Sequence, residues 1–143
     1  MPDELRPWFE TFVRWRREHP WLHLAHDAGT REPFIEYPMA HQMLHYAGTP
    51  DLICKTRDDA PSSFRESIVV IDYKTSTQEM DHWQYQTAAY AEIYKHLFKT
   101  PGRRVITMSV KFEKDTYRDH VRAGRDIDKD WNFFVSALNI FKG

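Results

Sequence analysis

The chain has 143 residues, of which 41% are hydrophobic and 15% aromatic, with one cysteine and a net charge of −1. That length sets one domain, residues 1–143, as the expectation and suffices to bury a real core. The lone Cys54 excludes an internal disulfide and a four-cysteine iron–sulfur cluster within the chain. No apolar run reaches membrane-spanning length and no signal-peptide pattern opens the chain, so a cytoplasmic setting is the default expectation. Charge is unevenly placed. Residues 1–94 hold 9 Lys and Arg against 15 Asp and Glu, a balance of −6, whereas residues 95–143 hold 11 against 6, a balance of +5. An acidic half joined to a basic half suits a phosphate substrate approaching a metal site.

In chain order, Asp3 is placed to cap a helix running to about His19, with Leu5, Trp8, Phe12 and Trp15 at helical spacing and Pro20 at its end. Arg14, Arg16 and Arg17 fall on its other side. Trp21 to Thr30 is mixed and carries His23 and His26. Eight histidines raise the question of zinc, but Gln42 stands where a metalloprotease helix would need glutamate between His41 and His45, and no Cys/His cluster has structural-zinc spacing. Phe34 to Pro38 reads as a first strand, and Met39 to Tyr46 as its lead into a strand at Gly48, where glycine permits a bulge or a close approach. Asp51 then opens Leu52-Ile53-Cys54, a short strand, and Thr56 to Glu66 is a polar loop whose Asp58 and Asp59 are expected in solvent.

Ser67-Ile68-Val69-Val70-Ile71 is an apolar, β-branched run that reads as a buried strand, followed by Asp72-Tyr73-Lys74 and a connector from Thr75 to Asp81. His82 to Lys99 is the strongest helix, with Trp83, Thr87, Tyr90, Ala91, Tyr94 and Phe98 facing inward. Gln86 and Tyr90 are four apart and share one face. Pro101-Gly102 makes a turn into a strand from Arg104 to Phe112. Thr116 to Arg122 reads as an antiparallel edge strand, and Asp126 or Asp128 is placed to cap a last helix striped by Ile127, Trp131, Phe134, Leu138 and Phe141. The crossover through the central helix should set the Arg104 strand parallel to the Asp72 strand.

The chemistry lies in Asp51, Asp72 and Lys74. Strand alternation turns Asp72 and Lys74 to one face and Tyr73 to the other. Alone, that pair is also what an ordinary ion pair at a strand end looks like. Asp51 adds to it, because two antiparallel neighbours joined by the 56–66 loop would bring both carboxylates together. Close carboxylates repel unless a cation lies between them, and a hard divalent ion such as Mg²⁺ answers that need. Lys74 beside it can orient water or stabilise developing negative charge.

Pro50-Asp51, a gap, and Asp72-Tyr73-Lys74 form the PD-(D/E)xK pattern. With Gly48-Thr49 before it and Thr75-Ser76, Gln86 and Tyr90 after it, residues 34 to 112 resemble the RecB-type and phage lambda-type exonuclease branch of the PD-(D/E)xK nucleases. The resemblance implies an α/β fold, a restriction-endonuclease-like mixed β-sheet flanked by helices. It implies a Mg²⁺-dependent deoxyribonuclease, with Mn²⁺ able to substitute, more an exonuclease than an endonuclease, acting on DNA in recombination, repair or phage DNA processing. Carried onto this chain, Asp51, Asp72, the Tyr73 carbonyl and Glu36 hold the metal. Lys74 positions water or stabilises charge, Gln86 and Tyr90 order the site and contact the substrate backbone, and the products are a 5′-phosphate and a 3′-hydroxyl. The iron–sulfur cluster of some RecB-type enzymes is excluded by the single Cys54. Against larger relatives the stretch before Glu36 is short, and the resemblance leaves room for a second subunit, in a dimer or ring, or a partner recombination protein to supply part of the DNA grip, which is an expectation the sequence itself does not show. Two other readings stay open: a DNA-binding or assembly protein on this fold without turnover, and a dimeric junction-cutting endonuclease.

Overall fold

Strict alternation in one long strand sets the architecture. A computed structural model describes residues 2–75, 82–99 and 102–142. Its elements are α1 (Arg6–Glu18), β1 (Leu22–Leu24), β2 (Met39–His41), β3 (Tyr46–Gly48), β4 (Leu52–Thr56), β5 (Ser67–Thr75), α2 (Trp83–Leu97), β6 (Arg104–Phe112), β7 (Tyr117–Arg122) and α3 (Arg125–Lys142). Five strands form a mixed sheet in the order β1-β4-β5-β6-β7, while β2 and β3 make a separate two-stranded hairpin. β5 is antiparallel to β4 and parallel to β6, as a crossover through α2 requires, and β7 runs antiparallel at the edge. This is an α/β fold with a restriction-endonuclease-like mixed sheet flanked by helices.

β5 is the central strand, and Ile68, Val69, Val70 and Ile71 are all fully buried because both faces of the sheet are covered. Val69 and Ile71 join Trp15, Leu22, Cys54, Met108 and Val110 on the α1 side. Ile68 and Val70 join Ile53, Ala91, Ile93 and Tyr94 on the α2 side. Burying each of these aliphatic side chains contributes roughly 1.5–3 kcal/mol, so the middle of β5 anchors both cores. Alternation then hands Asp72 and Lys74 to the α2 face and Tyr73 to the α1 face. Ala88, Ala89 and Ala91 are buried and let α2 lie close to the sheet.

Several local expectations are corrected. Residues 34–38 are not a strand. Ile35 makes one antiparallel bridge to Leu52, and regular pairing stops there because Glu36 turns into the left-handed region at φ 46° and Pro38, lacking an N–H, follows. Met39 to Gly48 does not extend the main sheet but closes on itself as the β2–β3 hairpin. β1, unassigned in the mixed 21–30 stretch, pairs with β4. α1 starts after Leu5 without a side-chain cap, Asp3 instead lying 3.3 Å from Arg6 as an exposed ion pair. On its stripe Trp15 is buried, but Leu5 and Phe12 are exposed. Asp126 and Asp128 sit inside the first turn of α3, where their charges favour the helix dipole. The connector at 76–81, Pro101 and the side chain of Phe141 lie outside the described residues.

α1 is tied to β7 by a polar clasp. His19 Nε2 lies 2.8 Å from Asp119 Oδ2, His19 Nδ1 lies 2.7 Å from the Trp15 carbonyl, and Trp15 Nε1 donates to Asp119 Oδ1 at 2.9 Å. Burial pushes the His19 pKa down, but the hydrogen bonds to Asp119 and Trp15 and the Asp119 charge together raise it above 6.5. A raised histidine pKa supports the fold fully below the unfolded value and loses that support as pH rises through the folded value. The thermal midpoint of the wild type should therefore fall relative to that of His19→Gln as pH rises above about 6.5, with the variant losing about 1–2 kcal/mol at pH 6. Parallel midpoint curves for the two proteins would refute the clasp.

Candidate active site

Leu52 pairs with Ile71, so the next rung of the same antiparallel ladder sets Asp51 opposite Asp72. Pro50, buried ahead of Asp51, fixes the chain as it enters β4. Asp51 Oδ2 accepts the backbone N–H of Tyr73 at 2.7 Å, which locks its carboxylate against the end of β5. Asp72 is 5% exposed. Burial, and next the hydrogen bond with the Asp51 carboxyl, push its pKa up to about 6, against the pull of Lys74. Lys74 Nζ stands 2.7 Å from Asp72 Oδ2. That contact is short but poorly aligned: Asp72 Oδ2 has no directed hydrogen-bond donor among the described residues. Two carboxyls with the Lys74 ammonium against them concentrate charge at this point, and Asp51 and Asp72 are the residues that could hold a hard divalent ion.

The α2 side completes the arrangement. Lys74 Nζ donates to Gln86 Oε1 at 3.0 Å, and Gln86 Nε2 donates to the Tyr90 hydroxyl at 2.9 Å. The chain Asp72–Lys74–Gln86–Tyr90 thus runs from the sheet up one turn of α2. Burial, then the Asp72 charge, raises the Tyr90 pKa. Tyr90 lies against Gly48 of β3: a β-carbon there would sit 2.7 Å from Tyr90 Cδ1 and overlap the ring further along. The glycine is required for this close approach. Gly48→Ala is expected to cost about 1–3 kcal/mol and to displace the Tyr90–Gln86 pair. Combined with Tyr90→Ala, it should be less than additive in denaturant unfolding. Full additivity would mean the ring and glycine do not meet.

Of the residues singled out in the sequence, Asp51, Asp72, Lys74, Gln86 and Tyr90 come together. Glu36 is beside them only through its backbone, its N–H donating to the Asp51 carbonyl at 3.0 Å, and its side chain is exposed. Among the described residues no group of three or more His, Cys, Asp or Glu gathers as a metal shell, so the protein carboxylates at the site are the Asp51–Asp72 pair. Cys54 is buried and its thiol is pushed up to about 12 by that burial, which removes it as a thiolate nucleophile. His41 stacks on His96 at 4.3 Å rather than joining the site.

Two surroundings border the pair. Towards α1, a cleft of about 310 Å³ reaches Asp51 and is lined mainly by apolar groups of Phe12, Leu24, Ile35 and Leu52. Towards β6, the rung at Asp72 continues into Ser109 and His120. Ser109 is fully buried and its Oγ has no partner among the described residues. Ser109 is not among the site residues the sequence singles out. Its signal was a hydroxyl in the interior-facing register of a strand parallel to the Asp72 strand.

No family model matches the chain, and no curated protein matches it. Among solved structures, the chain is similar to the crystal structure of a proposed exonuclease from Eubacterium rectale, with a TM-score of 0.46 and 9% identity over 94% of this chain. The chain spans 50% of the length of that structure. No helix among the described residues is long and apolar enough to cross a membrane.

Proposed function

We propose that this chain is a metal-dependent deoxyribonuclease of the PD-(D/E)xK kind, an exonuclease that hydrolyses phosphodiester bonds of DNA. One observation carries the reading: Asp72, buried and pressed against Asp51, keeps an oxygen without an aligned donor beside the ammonium of Lys74. A stability role does not account for it, because a buried carboxyl pair raises the energy of the metal-free fold. The residues fit a hard divalent ion, Mg²⁺ or Mn²⁺, with Asp51, Asp72 and the Tyr73 carbonyl as its holders and Glu36 as an outlying carboxylate. Bound there, the ion supplies Lewis acidity and lowers the pKa of water.

The chain's own groups do the rest. Asp51 is held by the Tyr73 N–H, so the pair is organised before substrate arrives. Lys74 has three N–H donors and gives one to Gln86. With Asp72 also against it, the ammonium stands where it would stabilise the charge that a phosphoryl oxygen gains as water adds to phosphorus and the bond to the 3′-oxygen breaks. The leaving oxygen takes up a proton, giving a 3′-hydroxyl and a 5′-phosphate. Gln86 and Tyr90 fix the direction of Lys74.

The test is digestion of end-labelled linear and closed circular DNA with Mg²⁺, Mn²⁺ or EDTA. Metal-dependent loss of linear DNA alone supports the exonuclease. Cleavage of circles replaces it with an endonuclease, and a folded protein that binds DNA but cuts neither form is the non-enzymatic relative.

A further inference from the structure

The strand ladder puts three cations side by side at the outer end of the sheet. Lys74 of β5 is in register with Lys111 of β6, and Lys111 with Arg118 of β7. Residues in register on neighbouring strands point to one face, so all three share the face of Asp72, two rungs beyond the Asp72–Ser109–His120 rung, the intervening Tyr73–Val110–Asp119 rung facing the other way. Lys74 is already occupied by Asp72 and Gln86. Lys111 enters no ion pair with a described residue, and Arg118 is exposed with only a loose contact to Glu113 at 3.8 Å. Like charges directly across a ladder destabilise a sheet. Cations on an edge strand are explained by protection of that edge, but Lys111 lies on β6, which is paired on both sides. The arrangement needs an anion to make it favourable.

The site supplies the reason for one. A phosphate at Asp51 and Asp72 belongs to a polymer whose next phosphates need a path. The cleft towards α1 is apolar around Phe12 and Ile35, whereas the opposite side continues into the basic C-terminal half. We infer that Lys74, Lys111 and Arg118 form a phosphate track along which a DNA strand leaves the cleavage site, across β6 towards β7. The inference rests on the nuclease reading and adds the direction of the strand. Two strand spacings cover roughly 10 Å. A strand carries a charge about every 3.4 Å along a duplex axis, so the track spans two or three phosphates.

The experiment measures binding of a fluorescein-labelled 12-nucleotide DNA, single-stranded and duplex, in EDTA between 50 and 400 mM NaCl. Wild type is compared with Lys111→Gln, Arg118→Gln, the double variant and Lys114→Gln, all with wild-type circular dichroism and Tm. Lys114 is an exposed lysine on the β6–β7 turn, outside the rung. Each track variant is expected to lower the slope of log Kd against log salt by about 0.7 for single strands or 0.9 for duplex, and the Lys114 variant to leave it unchanged. At 100 mM salt the double variant should bind about tenfold more weakly. An unchanged slope in the track variants, an equal drop in the Lys114 variant, or no DNA binding by wild type at 50 mM salt overturns the track. Metal-dependent cleavage of linear DNA by wild type is scored separately. Cleavage with an unchanged slope removes the track and keeps the nuclease, and the predicted slopes without cleavage keep the track on a protein that binds without cutting.

Discussion

Asp72→Asn should abolish metal-dependent cleavage, by about 10³-fold or more, and at the same time make the metal-free protein more stable at pH 7. The two effects have one cause. Asp72 titrates at about 6 in the folded chain against an ordinary value of 3.8, chiefly because it is buried and then because it meets Asp51. A carboxyl with a raised folded pKa binds its proton more tightly in the native state than in the unfolded one. It therefore favours the fold fully below about pH 4, and that favour disappears as pH rises through about 6. Above pH 6 the native protein carries a buried negative charge next to Asp51. Asparagine keeps the shape and removes the charge, so the variant should gain on the order of 1–3 kcal/mol at pH 7, less whatever Lys74 loses with its partner. Urea unfolding in EDTA at pH 4, 5, 6 and 7 measures this. The wild-type curve should fall across that range and the Asn curve should not. A variant less stable than wild type at pH 7 would show that Lys74, not Asp51, governs Asp72.

Lys74→Met should slow turnover by about 10²–10³-fold while metal binding persists. Methionine fills a similar volume along the strand end but offers no charge and no donors, so Gln86 loses the hydrogen bond at its Oε1. Lys74→Arg is not a rescue, because a planar guanidinium does not reproduce a point ammonium held between Asp72 and Gln86. Lys74 pulls the Asp72 pKa down, so its removal lets that pKa rise further. The acid limb of the pH–rate profile should then move to higher pH in Lys74→Met, with metal affinity weakening over the same range. Calorimetric Mg²⁺ titration and pH–rate profiles read the two parts independently. A lowered rate with an unmoved acid limb would leave Lys74 a purely structural residue.

The fold was legible where one period dominates. The run from Ser67 to Ile71, the α2 stripe and the alternation of β6 and β7 each specify their element and face, and the α2 crossover specifies the parallel pair. The Asp51–Asp72 approach was legible too, since a strand, a loop and a returning strand fix the register. The N-terminal third was harder to read. β1 is three residues long, too short for alternation in Leu22-His23-Leu24 to stand out, and is defined by its pairing with β4. Phe34 to Pro38 has strand-like composition, yet the left-handed turn at Glu36 depends on its backbone hydrogen bond to Asp51, a tertiary contact no local pattern announces. The family resemblance assigned Glu36 to the metal, and the same contact keeps its backbone beside Asp51 while its exposed carboxylate stays out of the pair.

The position of β5 also decides how the site behaves in time. Ile68 to Ile71 are sealed on both faces and paired on both edges, so their amides should exchange with solvent only when the whole molecule opens. Asp72 therefore follows directly on the slowest-opening segment of the chain, with Asp51 beside it at the mouth of β4. Tyr73, two residues further on, has its N–H held by a side chain, Asp51, rather than by a neighbouring strand. Its amide is an internal gauge at the boundary between a closed strand and the proposed ion site, and it registers each release of the Asp51 carboxylate without any need to follow the reaction.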